Sequence, residues 1–172
     1  MGRIYAKAGE RLQCVMQGLY LTDQRIGDVL KIDERDFLEE GIYVKQQKTG
    51  KELIVKWNDD LRAWVARCRG LHGKVVKVAF DDPKRPRPLF RTNRGRRPAY
   101  VTIYRAWVRV VADAGVEDCN LHDNRAFSAT EAKRQGLDPQ KLLGHDEART
   151  TKIYLRDRMV EVVEGPTMRR TA

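Results

Sequence analysis

The sequence has no apolar run approaching the roughly 18 residues that span a bilayer. Its start, MGRIYAKAGERLQC, lacks the long apolar segment of a secretory signal. Neither membrane insertion nor export is indicated, and a cytoplasmic protein is expected. Cysteine is scarce: Cys14, Cys68 and Cys119 are odd in number and widely spaced, which argues against a disulfide framework and against a Cys-x-x-Cys metal site. Reduced, half-buried packing residues are expected there. Internal repeats, low-complexity tracts and Gly-rich phosphate loops of the Walker or dinucleotide-binding type are also missing. No nucleotide cofactor is therefore expected.

What the chain has in excess is positive charge. Lys and Arg outnumber Asp and Glu by 34 to 24, and a net charge of +10 favours a polyanionic partner, nucleic acid ahead of a membrane surface. With 172 residues and 41% apolar content, the chain suffices for one ordinary core and is too short for two comfortable domains.

Leu12, Val15, Met16 and Leu19 fall on one helical face, so a first helix is expected to begin almost at the first residue. Thr22 or Asp23 is placed to cap a second, short helix through Ile26, Val29 and Leu30 that carries Arg25 and Asp28. The β-branched runs GIYVKQ (41–46) and ELIVK (52–56), around Thr49-Gly50, predict an antiparallel hairpin with Lys48 and Lys51 at its tip. Asp59 or Asp60 is expected to cap a helix through Leu61, Trp64, Val65 and Cys68, and VVKVAF (75–80) reads as a strand.

Between Pro83 and Arg97 stand seven basic residues, no acidic one and three of the six prolines. This is a loop whose mutual repulsion a phosphate backbone would relieve. Tyr104, Trp107, Val108 and Val111 predict an amphipathic helix ending near Gly115, and HDNRAFSATEAKRQG another ending at Gly136. Asp138-Pro139 opens a short helix that stops at Gly144, and a last helix opens near Asp146 and carries Tyr154.

The residues with chemical potential cluster late. His122 and Arg125 are three apart on a predicted helix and so share a face. Arg125 offers a planar fork for two phosphate oxygens, and His122 exchanges a proton near neutral pH. His145 follows a helix-ending glycine, which would let its ring point into a cleft.

Arg25, the hairpin-tip Lys48, "HDNR", "LLGH" and a tyrosine nine residues after that histidine occur in one order. Together they resemble the catalytic domain of the tyrosine recombinases, in particular phage and prophage integrases, from about Leu12 to Arg158. The strongest part is GLDPQKLLGHDEARTTKIYLRDR, similar to the family's stretch joining a late histidine to the nucleophilic tyrosine. LTDQRIGDVLKI resembles the segment bearing the first arginine, VKQQKTGKELIV the hairpin with a catalytic lysine, and LHDNRAF the box with a histidine and the second arginine.

The resemblance implies a mainly α-helical (α+β) fold, with a small antiparallel β-sheet at one edge carrying Lys48. It makes residues 1–172 a single catalytic domain, with a core over about 12–158 and a tail over 159–172 whose alternating Val160 and Val162 pack on this domain or on a neighbour. It further implies site-specific DNA recombination without metal or cofactor. Arg25 and Arg125 would grip the non-bridging oxygens of the phosphodiester and His145 would donate a further hydrogen bond. Tyr154 would attack phosphorus, His122 would be the base, and Lys48, with Lys51 as second candidate, the general acid.

The basic residues Lys51, Lys84, Arg85, Arg87, Arg91, Arg94, Arg96 and Arg97, with Arg149 and Lys152, are expected on DNA phosphates. Implied partners are double-stranded attachment-site DNA and other protomers in a tetramer, in the cytoplasm of a bacterial host at its nucleoid. Two alternatives stay open: a DNA-binding module without activity, and a nicking-closing enzyme that does not exchange strands.

Three departures from the family's pattern stand out. Asp23 occupies the place of a glycine in the usual Thr-Gly-x-Arg turn. Phe127 and Ser128 replace a second histidine or a threonine-rich stretch. The chain opens inside the first catalytic-domain helix, so an isolated domain lacking the N-terminal core-binding domain is expected.

Overall fold

The computed structural model describes residues 1–72, 86–92, 94–138, 141–142 and 161–168. The expected strand over 75–80 and the expected last helix with Tyr154 lie outside them. Six α-helices and three strands are described: α1 (Gly2–Lys7), α2 (Glu10–Thr22), α3 (Ile26–Val29), β1 (Gly41–Lys45), β2 (Glu52–Lys56), α4 (Asp59–Gly70), α5 (Tyr100–Asp113), α6 (Asp123–Arg134) and β3 (Glu161–Glu164). The mainly helical fold with a small sheet at one edge matches the expectation from sequence.

Helix α2 is the hub, packing against α3, α4, α5 and α6. Its predicted stripe of Leu12, Val15, Met16 and Leu19 is buried. The single first helix expected from the sequence is two, because Ala8 is extended and Gly9 restarts the chain as the N-cap of α2. Helices α2 and α4 approach tightly at Gly18, where a Cβ would come 2.5 Å from the Trp64 ring on α4. That ring cannot turn aside freely, since its Nε1 donates to the Cys14 carbonyl at 2.7 Å. Leu61, Trp64, Val65 and Cys68 face inward as predicted. The cap of α4 is Asn58, whose side chain accepts from Leu61 N at 2.7 Å, and not Asp59 or Asp60, which fall inside the helix.

Two further differences follow from tertiary context. On α5 the buried residues are Ile103 and Trp107, while Tyr104 and Val108, expected inside, are exposed. The helix is apolar on more than one face, so periodicity alone left its phase open. The sheet is mixed and not purely antiparallel: β1 and β2 form the predicted hairpin, with Gly41 opposite Lys56 and Lys45 opposite Glu52, but β3 lies parallel to β2. A parallel partner needs a crossover of at least about a dozen residues, and β3 comes from the far end of the chain. The tail thus packs on its own domain through Val163, which is buried; Val160 lies outside the described residues. Cys14 and Cys68 are fully buried and Cys119 partly so, all three free thiols.

Replacing Gly18 by alanine sets a helix-propensity gain of up to about 1 kcal/mol against overpacking of about 1–3 kcal/mol. A net loss is expected because the Trp64 ring is held. The check is the urea midpoint of Gly18→Ala, expected below that of the parent with an unchanged slope.

Candidate active site

The end of α2 sets the site. The Thr22 hydroxyl folds back onto the Gly18 carbonyl at 2.6 Å, and Asp23 then turns the chain with φ 52° in the left-handed region. Asp23 is therefore the C-cap of α2, and neither it nor Thr22 caps the next helix; the N-cap position of α3 is held by Arg25, with no side-chain cap. Aspartate tolerates the left-handed region better than most residues with a Cβ, so the departure from glycine preserves the turn.

Arg125 reaches this turn from the first turn of α6. The start of that helix is fixed reciprocally: Asn120 Oδ1 accepts from His122 N at 2.8 Å, and Asp123 Oδ2 accepts from Asn120 N at 2.7 Å. His122 therefore sits just ahead of the helix and exposed, not on a helical face shared with Arg125. Arg125 is 5% exposed, and its Nε donates to the Asp23 carbonyl at 2.8 Å. Arg25, His122 and Arg125 nevertheless line one cavity of about 160 Å³, together with Gln24, Tyr100 and Tyr104. The rings of Tyr100 and Tyr104 stack with centroids 5.8 Å apart.

Lys48 is on the exposed hairpin turn as expected and does not line that cavity. Its turn is tied to the Arg25 segment twice. Gln46 Oε1 accepts from Arg25 NH1 at 3.2 Å and from the Thr49 hydroxyl at 2.7 Å, and Asp28 Oδ1 accepts from Gln47 N at 3.0 Å. His145, Arg149, Lys152 and Tyr154 lie outside the described residues, as do Lys84 and Arg85. Leu142, three positions before His145 in the sequence, is described and gives its carbonyl to Gln24 Nε2 at 2.9 Å.

The departing pair after "HDNRA" serves packing. Ser128 donates to the Tyr20 carbonyl on α2, and Phe127 lies over the Tyr20 ring at 5.8 Å.

The electrostatics of the turn are unusual. Asp23 is fully buried; its Oδ1 is 4.0 Å from Arg125 Nε, and neither carboxylate oxygen has a hydrogen-bond partner among the described residues. Burial pushes its carboxyl up to about 8, against the pull of the Arg125 guanidinium. Burial also lowers the proton affinity of Arg125, with Asp23 opposing and the like charge of Arg25 adding to the effect.

The basic loop divides. Arg91 donates through Nε to the Pro88 carbonyl at 2.7 Å and through NH2 to Glu34 at 3.2 Å, and Arg97 NH2 reaches Asp33 at 3.3 Å. Asp33 also accepts from the backbone of Arg87 at 2.8 Å. These acids clasp the loop to the body, and Arg94 and Arg96 remain exposed. Among the described residues, no group of His, Cys, Asp and Glu could hold a metal ion, and no helix is long and apolar enough to cross a membrane.

Sequence reasoning did not single out Gln24, Gln46 or Tyr100, and read Tyr104 as a packing residue of α5 and not as part of the site. A signal existed for Gln46: strand alternation places it in the inward row after Ile42 and Val44, and an inward polar residue asks for a partner.

Residues 3–161 match the phage integrase family. The integrase of Enterobacteria phage P21 is 27% identical over 159 residues, which are 86% of this chain and 40% of that protein. The lambda integrase catalytic core superposes with a TM-score of 0.70 at 22% identity, over 94% of this chain and 92% of that one. A lambda integrase tetramer bound to a Holliday junction matches with a TM-score of 0.67 at 21% identity, over 88% of this chain and 44% of that one. The chain belongs to the phage integrase family, with the fold of a tyrosine recombinase catalytic domain. It spans about two fifths of the length of the phage P21 relative.

The buried carboxyl gives a pH prediction. Between the ordinary carboxylate value near 4 and about 8, folded Asp23 keeps a proton that the unfolded chain has released. Its contribution therefore makes stability fall as pH rises through that window, by at most about 1.4 kcal/mol per pH unit, and level off above it. Asp23→Asn, which keeps the shape and tolerates the same backbone, removes that slope. Urea unfolding at pH 5, 7 and 9 should show the variant gaining on the parent with rising pH; parallel curves would rule the assignment out.

Proposed function

We propose that this chain breaks and rejoins DNA strands through a 3′-phosphotyrosine, as the catalytic part of a site-specific recombinase of integration and excision. The observation that carries the reading is the convergence of Arg25, His122 and Arg125 on one small cavity. A phosphodiester repels nucleophiles, and its transition state gathers still more negative charge on the non-bridging oxygens. Two guanidiniums held by backbone and amide oxygens supply fixed positive charge with little reorganisation.

In this reading Tyr154 Oη forms a bond to phosphorus while the bond to the 5′-oxygen breaks. His122 takes the phenolic proton, His145 donates a hydrogen bond to a non-bridging oxygen, and Lys48 protonates the leaving 5′-oxygen. Rejoining reverses each transfer, with a 5′-hydroxyl from a partner strand as attacker. The reaction draws on no metal or nucleotide cofactor, since the tyrosine stores the bond energy. Exposed Arg94 and Arg96, with Lys51 and Arg97, serve as phosphate contacts flanking the cut, and the same role is assigned to Lys84, Arg85, Arg149 and Lys152. The partners are duplex attachment-site DNA and further protomers, by likeness to the lambda integrase tetramer on a Holliday junction.

Supercoiled plasmid incubated with the parent chain and with Tyr154→Phe, then quenched with detergent, tests the nucleophile. Relaxed product and protein-linked DNA are expected from the parent alone; adducts formed equally by the variant would overturn the role of Tyr154. Arg125→Lys keeps the charge but loses the fork and the Nε bond to Asp23, and a loss of at least about a hundredfold in adduct formation is expected. The surface contacts predict a salt effect instead: Arg94→Ala with Arg96→Ala should lower the slope of log affinity against log salt by about 2 on duplex DNA of any sequence. An unchanged slope removes both from the interface.

A further inference from the structure

Gln24 and Gln46 are both fully buried, and their amides meet: Gln46 Nε2 donates to Gln24 Oε1 at 2.8 Å. The far ends are also bound. Gln24 Nε2 donates to the carbonyls of Thr22 and Leu142, each at 2.9 Å, and Gln46 Oε1 accepts from Arg25 NH1 and from the Thr49 hydroxyl. A carbonyl only accepts and a guanidinium only donates, so this chain of bonds has one permitted direction. Reversing either amide sets donor against donor and acceptor against acceptor, and a buried polar group left unpaired costs about 1–3 kcal/mol. Each amide is therefore locked by what lies at the opposite end.

Each of the three segments joined this way carries or directly precedes a group that the proposed reaction uses. One is the Arg25 turn, one the hairpin turn with Lys48, and one the stretch whose Leu142 precedes His145. Their sequence separations, 21 residues for Arg25 to Gln46 and 118 for Gln24 to Leu142, leave no local reason for them to move together. Core packing gives no reason for an amide either: the inward row of β1 before Gln46 is Ile42 and Val44, and a methionine would fill the same length of space. We infer that Gln24 and Gln46 are positioning residues, a buried amide relay that aims Arg25 at the scissile phosphate and fixes the Lys48 turn and the Leu142 segment relative to it. The inference rests on the strand-cleavage reading for its catalytic consequence, and on the hydrogen bonds alone for its mechanical one.

Gln24→Met and Gln46→Met, alone and combined, test both parts, with thermal unfolding to establish that each variant is folded. On supercoiled plasmid at saturating protein, each single variant should slow adduct formation at least about tenfold while affinity for a short duplex changes less than about twofold. Because the two amides act as one chain, the double variant should be no slower than the slower single. Losses that multiply, or that appear in affinity and not in rate, overturn the relay.

A second measurement needs no cleavage. Gln24 does not touch Gly50 or Lys51, whose backbone amides donate to the Gln46 carbonyl and the Thr49 hydroxyl. Gln24→Met should nonetheless speed hydrogen exchange at both by several-fold through loss of the Gln46 anchor, and unchanged exchange in a folded variant overturns the coupling. If the parent forms no adduct while this exchange does respond, the strand-cleavage reading fails for the chain and the relay stands.

Discussion

The left-handed turn at Asp23 is the constraint on which the rest of the site depends. It ends α2, aims one carbonyl at Arg125 Nε, sends Gln24 inward and delivers Arg25 to the head of α3. Without it the two arginines, 100 positions apart in the sequence, have no common surface. The turn is in turn held by the hub helix, since Thr22 bonds back to Gly18 and the Trp64 ring of α4 presses on Gly18. Core packing and the position of a guanidinium are thus links of one chain.

Two guanidiniums beside one cavity repel each other, and in a partly buried place that repulsion is screened less than in water. The fold meets this mainly with dipoles, a carbonyl for Arg125 and an amide oxygen for Arg25. Asp23 and Asp28 both act on Arg125, and Asp23 is pushed up to about 8 by burial, so near neutral pH it is largely protonated. A neutral Asp23 leaves the positive field of Arg125 in place for an incoming anion. The arrangement costs stability, a trade-off common at functional sites. At the clasp of Asp33 and Glu34 the opposite solution holds. There, Asp33 and Glu34 meet Arg97 and Arg91 directly, Asp33 is held below the ordinary carboxylate range despite burial by its bonds to Arg35 and Arg87, and the pairs fasten a loop.

Where the sequence was legible, one dominant local signal decided the structure. The stripe of α2, the hairpin, and the inward face of α4 each follow from periodicity or turn chemistry that no tertiary contact overrode. The arginines were legible too, because their flanking boxes are local. What escaped was whatever depends on segments remote from each other. The phase of α5 was misread because its apolar residues cover more than one face, and packing against α1 and α2 chose Ile103 and Trp107. The parallel third strand could not be read from a tail with a short alternating pattern and no indication of its partner. The glutamine pair lay in plain sight as two polar letters beside catalytic candidates, yet its meaning arises only when residues 22, 46 and 142 meet.

The tail gives that remoteness a physical use. Gly165, just after β3, lies so close to the Leu21 carbonyl that a Cβ there would stand 2.0 Å from it, and Asn58 donates to the Gly165 carbonyl at 3.1 Å. Lys56 and Glu164 pair alongside at 3.0 Å, an exposed contact of little energy that agrees with the register. Leu21 is two residues before Asp23, so the end of the chain is pressed against the helix turn that feeds the site. On the other side, Leu142 is bound to Gln24 of the same turn. Leu142 and Gly165, described residues on either side of 143–160, are therefore both held against the 21–25 turn, one by an amide and one by a glycine contact. The turn that carries Arg25 and receives Arg125 is thus also bound to Leu142 and pressed by Gly165. The amide pair and the tail therefore meet at one turn, which joins segments distant in sequence.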